Sequence, residues 1–289
     1  MLIGALEAGG TKMVCAVGKE DGSVLEQVSI PTTTPEETIP QILDYFKSKE
    51  IGALGVAAFG PVDVKPASPT YGFILNTPKI PWRNCDLLGQ LKRELAIPIG
   101  LDTDVNGSCL GEMTYGCARG LENVIYITIG TGVGVGVCWG GKLVHGMLHP
   151  EGGHILLSRH PKDPKGGICP NHPNCLEGFA CGPSIEARWG KKAAELADEP
   201  LVWEIESYYI AQALVDFIMI LSPQKIILGG GVMHQEQLFP LIRRQVKEMV
   251  GGYLSTPELE DLEHYIVPAS LGGDQGIMGC IKLGLNALC

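Results

Sequence analysis

Short, unbroken apolar runs recur along this chain in a regular order. In the first half, runs at about 2–7, 12–18 and 23–31 read as three successive strands, followed by a helical pattern near 35–50 and a strand at Ala53 to Ala58. An irregular Pro-rich stretch fills 60–85, and beyond it the pattern predicts a helix near 86–96, a strand at Ile97 to Leu101 and a helix starting near Asp104. The second half begins the same way, with strands at 122–130 and 133–139 and a β-like piece at Lys142 to Val144. After an irregular, cysteine-bearing insertion come helices near 183–196 and 201–221, and then a strand at Lys225 to Leu228. A helix near 235–250, a strand at Tyr265 to Val267 and a closing helix from Gly276 complete the pattern. Two rounds of three strands followed by helix–strand units predict a duplicated α/β architecture with its crossover near 115–122. The expected division is an N-terminal domain over 1–118 and a C-terminal domain over 119–289, the last helix returning to the first domain.

Glycine collects at the turns between these runs. Three clusters stand out: Glu7-Ala8-Gly9-Gly10-Thr11-Lys12, Gly130 to Gly136, and Gly229-Gly230-Gly231. The first two lie between apolar runs, so each reads as the tip of a β-hairpin whose bare N–H groups can approach a phosphate closely. Hairpin turns that merely need positive φ are the plain alternative. Turn chemistry alone does not call for Thr11 and Thr131 beside two of them. A dinucleotide fingerprint fails, because the sixth position from Gly130 is Val135, from Gly132 it is Val137, and a strand follows instead of a helix. A Walker A loop fails at Leu143, where Ser or Thr would have to hold magnesium. What survives is a pair of β-hairpin phosphate clamps, with Gly229 to Gly231 letting backbone lie flat against an adenosine. That arrangement resembles the actin and hexokinase type of ATP-binding fold, ribonuclease H-like in its halves, with a cleft between two domains.

Composition narrows the field. A chain of 289 residues that is 45% apolar and 19% charged is long enough for two domains and too apolar for a disordered or fibrous protein. The net charge of −10, with no cluster of Lys and Arg, argues against nucleic acid as a partner. The N-terminal residues open on a strand without a basic start or cleavage site, so no signal peptide is expected. No run reaches the roughly 18 apolar residues of a membrane span. Ten cysteines without export signals read as reduced thiols, and a cytoplasmic location follows. Cys15, Cys109 and Cys138 lie inside apolar runs, where cysteine behaves as a small hydrophobe.

Taken in order along the chain, these segments resemble a known family. Glu7 to Lys12, Thr103-Asp104-Val105-Asn106, Gly130 to Gly136, Glu151-Gly152-Gly153-His154, the insert ending Cys175-Leu176-Glu177-Gly178, and Gly229 to Val232 occur in the sequence found in ROK-family sugar kinases. The resemblance covers essentially the whole chain and is strongest to the bacterial fructokinase branch. It implies an ATP-dependent hexose kinase, with fructose converted to fructose 6-phosphate as the first reading and glucose or mannose as alternatives. Gly9, Gly10, Thr11, Lys12, Thr131 and Gly132 are implied phosphate contacts, and Pro183, Gly229, Gly230, Gly231, Val232 and Met233 the adenosine side. Cys181-Gly182-Pro183-Ser184 looks like a turn into a helix, with Pro at the first position and Ser as cap. Glu7 stands where many members carry Asp, and magnesium handling is expected to survive the exchange. Thr103 stands where the family often has Asn. A homodimer is implied as well.

Phosphoryl transfer to a sugar hydroxyl asks for a carboxylate to take the proton, magnesium to spread phosphate charge, and alignment. Asp104 is the implied base; an ordinary helix N-cap is its other reading. Hydroxyl recognition is implied for Asn106, Glu151, His154 and Glu177, with Asn76 from the Pro-rich stretch. Glu151 and His154 are spaced for one face of a helical turn. Cys169, His172 and Cys175 are spaced by two residues each in a Gly/Pro/Asn-rich loop that could not build a core of its own. With His154 they would make a Cys2His2 tetrahedron suited to structural zinc, His172 replacing the thiolate of the family's usual three-cysteine set. Idle thiols or a redox pair are the alternative reading. Cys181 reads as packing. If zinc takes one ring nitrogen of His154, the other is left for a sugar hydroxyl, and the metal would hold Glu177 beside the substrate. Two other classes remain in view: a sugar-responsive ROK regulator, for whose helix-turn-helix the hairpin at residue 7 leaves no room, and a scaffold whose kinase site has died.

Overall fold

In the computed structural model, which describes residues 1–289, the first round of elements is β1 (Leu2–Ala8), β2 (Lys12–Lys19), β3 (Val24–Pro31), α1 (Pro35–Lys47) and β4 (Ala53–Ala58). The two-residue strands β5 (Phe73–Ile74) and β6 (Cys85–Asp86) follow, then α2 (Leu87–Leu95), β7 (Ile99–Thr103) and α3 (Asp104–Thr114). The second round contains β8 (Val124–Ile129), β9 (Val133–Trp139), β10 (Lys142–Leu143), α4 (Leu176–Ala180), α5 (Gly182–Trp189), α6 (Pro200–Leu221) and β11 (Lys225–Gly229). It closes with α7 (Leu238–Val250), α8 (Pro257–Glu260), α9 (Leu262–Tyr265), β12 (Ile266–Pro268) and α10 (Gln275–Asn286). The single helix expected near 183–196 is broken: α5 ends where Gly190 turns left-handed at φ 71°, and a separate 3-10 turn covers Ala193–Leu196. Neither α8 nor α9 was expected, each being only one turn long. No helix is long and apolar enough to cross a membrane.

The two rounds build sheets of matching order, β3-β2-β1-β4-β7 and β10-β9-β8-β11-β12. In each, a three-strand run comes first and two parallel strands are added beside its first member. The duplication expected from the strand rhythm is therefore present in the topology. The chain divides into unit 1, comprising Met1–Gly120, Gly136–Pro150 and Ser270–Cys289, and unit 2, comprising Leu121–Val135 and Glu151–Ala269.

In unit 1 the sheet is covered on both faces, which is why its strands read as continuous apolar runs. The period of two sorts side chains by size. Leu6, Met13, Cys15, Leu54 and Val56 face α1 and α2, where Ile39, Ile42, Phe46, Leu88 and Leu91 fill the layer. Ala5, Ala16, Ala53 and Ala57 face the other way, toward Ile277, Cys280 and Ile281 of α10. On this small-residue face the approach is backbone to backbone. A Cβ on Gly55 of β4 would overlap the carbonyl oxygen of Cys280, and one on Gly279 of α10 would overlap that of Gly107 in α3. Gly111 of α3 meets the Gln275 carbonyl in the same way. The far end of α3 is tied by buried Glu112, whose carboxylate accepts the Ser270 N–H at 2.6 Å, its hydroxyl at 2.6 Å and the Cys117 N–H at 3.2 Å.

In unit 2, α6 carries a largely buried face that includes Val202, Trp203, Ile205, Tyr209, Ile210 and Leu214, and α7 packs along it. The Tyr209 ring stacks on Phe179 of α4 with centroids 4.2 Å apart, joining the short helix to the long one.

Glycine inside a helix normally costs about 1 kcal/mol against alanine, so Gly279→Ala would stabilise an isolated α10. Here the overlap with the Gly107 carbonyl should reverse the sign and destabilise the protein by about 3 kcal/mol, read by denaturant melting. A variant as stable as the parent would contradict the close α3–α10 seam.

Candidate functional site

The first glycine turn belongs to unit 1 and is a tightly bonded hairpin tip. The Gly9 N–H donates to the Lys12 carbonyl at 3.1 Å, and Thr32 closes the turn from β3's far side, its N–H on the Thr11 carbonyl at 3.0 Å and its hydroxyl on the Gly9 carbonyl at 2.7 Å. Gly10, Thr11 and Lys12 are exposed at the tip. Lys79, from the Pro-rich stretch, donates to the Gly10 carbonyl at 2.6 Å. Asn76, three residues before it, is exposed. Glu7 faces the start of α10, where a Cβ on Gly276 would lie 2.7 Å from its carboxyl. Burial raises the Glu7 pKa, Lys12 opposes the rise, and Asp274 adds to it. The Glu7 carboxylate offers the oxygen donors that a hard divalent cation prefers.

Asp104 opens α3 at the end of β7. The N-cap is Thr103, whose hydroxyl oxygen accepts the Asn106 N–H at 3.1 Å, so capping does not explain an aspartate at 104. Asp104 Oδ1 accepts the Val105 N–H at 2.9 Å, and its side chain is partly exposed. Asn106, expected to meet a sugar hydroxyl, is fully buried and spends its amide inside unit 1. Its Nδ2 donates to Asp102 Oδ1 at 2.7 Å, and its Oδ1 accepts the Val137 N–H at 3.3 Å. Asp102 had no motif to mark it; its sequence position on a strand next to Thr103 reads as one more core residue.

Unit 2 carries the second turn. Gly130 N–H donates to the Gly132 carbonyl at 2.9 Å, the Gly130 carbonyl accepts the Gly182 N–H at 2.7 Å, and Thr131 is exposed. Glu177 Oε2 accepts the Val133 N–H at 3.0 Å, so one oxygen of this candidate sugar ligand holds the base of the turn. Gly230 adopts φ 88° with Ile129 backbone so near that any Cβ would overlap it, and Gly231 is exposed beside it. Val232 and Met233 are buried, Gly229 ends β11, and exposed Pro183 sits in the first turn of α5. Ser184, expected as a cap, instead donates to the Gly178 carbonyl at 2.7 Å.

Glu151 and His154 bracket a 3-10 turn at Gly152–His154, closed by the His154 N–H on the Glu151 carbonyl at 2.9 Å. The Glu151 side chain is exposed. His154, Cys169, His172 and Cys175 come together with their ligand atoms all within 4.8 Å of one another. The Nδ1 atom of His154 lies 3.6 Å from Cys175 Sγ and 4.0 Å from Cys169 Sγ, and that of His172 lies 3.9 Å from Cys169 Sγ. Tetrahedral zinc with bonds of about 2.0–2.3 Å sets neighbouring donors roughly 3.3–3.8 Å apart, so the four residues fit that ion. Both imidazoles turn Nδ1 inward, which leaves the His154 Nε2 on the opposite side of its ring. Burial pushes the Cys175 thiol up to about 11, so a metal must displace its proton. Cys175 also caps α4, its sulfur accepting the Gly178 N–H at 3.3 Å, two residues from Glu177. Cys181 is buried, with Sγ 3.0 Å from Ser184 Oγ.

Sequence reading did not find the buried polar group behind α4. Arg188 donates to the Phe179 carbonyl at 2.7 Å and lies within ion-pair distance of Asp163 at 3.2 Å and Glu206 at 3.7 Å, with all three side chains fully buried. Burial alone would raise the Asp163 pKa, but hydrogen bonds from Gly166, Tyr209 and Lys165, with the Arg188 charge, leave it lowered. Glu206 lacks such donors, and burial pushes it up to about 8 against the pull of Arg188.

Glycine turns thus follow the first strand in each of two like-ordered sheets, and a carboxylate heads the helix after β7. The sequence matches the ROK family over residues 3–286, and the chain belongs to that family. It is 51% identical to a protein of Bacillus subtilis (strain 168) over 288 residues, which is 99% of this chain and 96% of that one. It is 47% identical to a fructokinase of Pediococcus pentosaceus over 288 residues, covering 100% and 99% of the two chains. Among solved structures, a ROK family glucokinase from Streptomyces griseus in complex with glucose and AMPPNP is 26% identical, with a TM-score of 0.75 over 99% of this chain and 100% of that one.

The raised Glu206 pKa has a stability consequence of definite sign. An unfolded glutamate ionises near its model value of 4.5 while the folded one keeps its proton to about 8, so stability falls as pH rises between them. Glu206→Gln should flatten this dependence, and its melting temperature should gain on the parent steadily from pH 5 to about 8. Parallel curves for the two proteins would refute the assignment.

Proposed function

We propose that this chain is a fructokinase that transfers the γ-phosphoryl group of ATP to D-fructose, giving D-fructose 6-phosphate. The observation that carries the reading is the full-length similarity to a fructokinase at 47% identity. Asp104, relieved of capping by Thr103 at the head of α3, supports it. In this reading Asp104 accepts the proton of the attacking hydroxyl as the oxygen–phosphorus bond forms. The N–H groups of Gly10 to Lys12 and of Thr131 and Gly132 hold phosphate oxygens, Gly9 shapes the turn through its own N–H on the Lys12 carbonyl, and the backbone from Gly229 to Met233, with Pro183, flanks the adenosine. Glu151, His154 Nε2 and Glu177 hold sugar hydroxyls, with Asn76 an outer contact. Asn106 serves the sugar indirectly, by fixing the first turn of α3. Magnesium would be held by Glu7, directly or through water, and would neutralise charge on the phosphates.

Zinc held by His154, Cys169, His172 and Cys175 would be structural, because four protein donors leave no open position. It would set the His154 tautomer and the start of α4. All ten cysteines are free, which fits action in the cytoplasm. A homodimer belongs to the same reading through the family resemblance.

Asp104→Asn should lower kcat by about 10²–10⁴-fold with fructose binding largely kept. Retained turnover would overturn its role. In a coupled ADP-release assay the kcat/KM for fructose should exceed those for glucose and mannose; a preference for glucose would replace the substrate and leave the kinase standing. Removing zinc with a chelator should raise the fructose KM and speed amide exchange over 155–180. Unchanged kinetics in protein verified as metal-free would remove the ion from the account.

A further inference from the structure

The segment Gly136–Pro150 returns to unit 1 and wraps the head of α3. Gly136 lies so close to the Val105 carbonyl that a Cβ there would overlap it, and the next N–H, from Val137, donates to Asn106 Oδ1 at 3.3 Å. Past β10, the same segment brings two imidazoles back to unit 1. His149 is buried and its Nε2 accepts the Val62 N–H at 3.3 Å, which anchors the end of the segment. His145 Nε2 lies 2.9 Å from Asp102 Oδ2.

Asp102 is where these contacts converge. Its carboxylate is 3% exposed, and Oδ1 already accepts two hydrogen bonds, from the Thr103 N–H at 2.8 Å and Asn106 Nδ2 at 2.7 Å. Both donors belong to the cap and first turn of the helix that begins with Asp104. A buried carboxylate with one oxygen bound and the other without a donor can rotate about its Cβ–Cγ bond, and that change weakens its hold on Asn106. The imidazole on Oδ2 opposes that rotation.

We propose that His145 is a positioning residue for phosphoryl transfer: by donating to Asp102 it locks the carboxylate that orients Thr103 and Asn106, and so sets where the head of α3 presents Asp104. The hydrogen bond to Asp102 raises the His145 pKa against a smaller opposing effect of partial burial, consistent with a donor held on the carboxylate. Burial raises the Tyr71 pKa, and the Asp102 charge adds to the rise. The inference rests on the fructokinase reading, because it takes Asp104 as the base.

The test compares His145→Gln, whose amide nitrogen can stand where imidazole Nε2 stood, with His145→Asn, which is polar but too short to reach Asp102. In His145→Asn kcat should fall about 10–100-fold, the loss that a misplacement of order 1 Å brings, while the fructose KM changes less than about threefold. His145→Gln should recover most of the lost kcat. Combined with Asp102→Asn, the His145→Asn change should add little, since both break one contact. Melting temperature and zinc content are read on every variant, and His145→Gln against wild type decides the case if His145→Asn does not fold. Wild-type kcat in His145→Asn, equal losses in Asn and Gln variants, or a loss confined to KM would each overturn the proposal. Wild-type protein that phosphorylates no hexose would instead overturn the fructokinase reading beneath it.

Discussion

The backbone contact of α10 with α3 and β4 is the constraint on which the rest of unit 1 depends. Ordinary helices are held apart by side chains at about 8–10 Å between axes. Here Gly55, Gly111 and Gly279 remove the side chains that would do so, carbonyl oxygens occupy the space, and Gly107 meets the Ala57 Cβ in the same way. Each helical glycine forgoes helix propensity, a loss offset by dense van der Waals contact along the seam. The result is a helix with little freedom to slide. At one end of α3, Glu112 grips Ser270 and Cys117; at the other, Thr103 and Asp102 hold the first turn. A carboxylate placed on such a support can be aimed within a fraction of an ångström, which proton transfer requires.

Unit 2 meets a different difficulty by different means. Helix α4 spans five residues, too few to persist alone, yet it carries Glu177. Its start is held by Cys175, its Phe179 carbonyl by Arg188, and its aromatic face by Tyr209. Glu177 in turn holds the Val133 N–H, so the second glycine turn, the cysteine-bearing insert and the buried Arg188 group form one connected set. Burying Arg188, Asp163 and Glu206 together is expensive in solvation, and Glu206 escapes part of that cost by keeping its proton.

Much of this was legible along the chain because it depends on near neighbours. The main strands, the two hairpin turns and the head of α3 at Asp104 are local patterns found within about two residues of where the pattern placed them. The two-residue strands β5 and β6 were not expected, and the Cys169–His172–Cys175 spacing brings those side chains together with His154. The break after α5 was missed because Gly190 inside a polar, lysine-bearing stretch carries no other helix-ending signal. Asp102 with His145, Arg188 with Asp163 and Glu206, and Lys79 with Gly10 were missed for another reason. Each pair is far apart in sequence and composed of common residues, so only proximity gives them meaning.

The sequence by itself determined the duplicated α/β order, the glycine turns, a carboxylate heading a helix and a cluster of cysteine and histidine side chains, because periodicity, capping and residue spacing act over a few residues. Tertiary structure alone decided that Asn106 faces inward to Asp102, that Glu177 binds the Val133 N–H, and that His145 meets a buried carboxylate. Those outcomes follow from desolvation: a polar group taken out of water must find a partner, and which partner is in reach is settled only when distant segments pack.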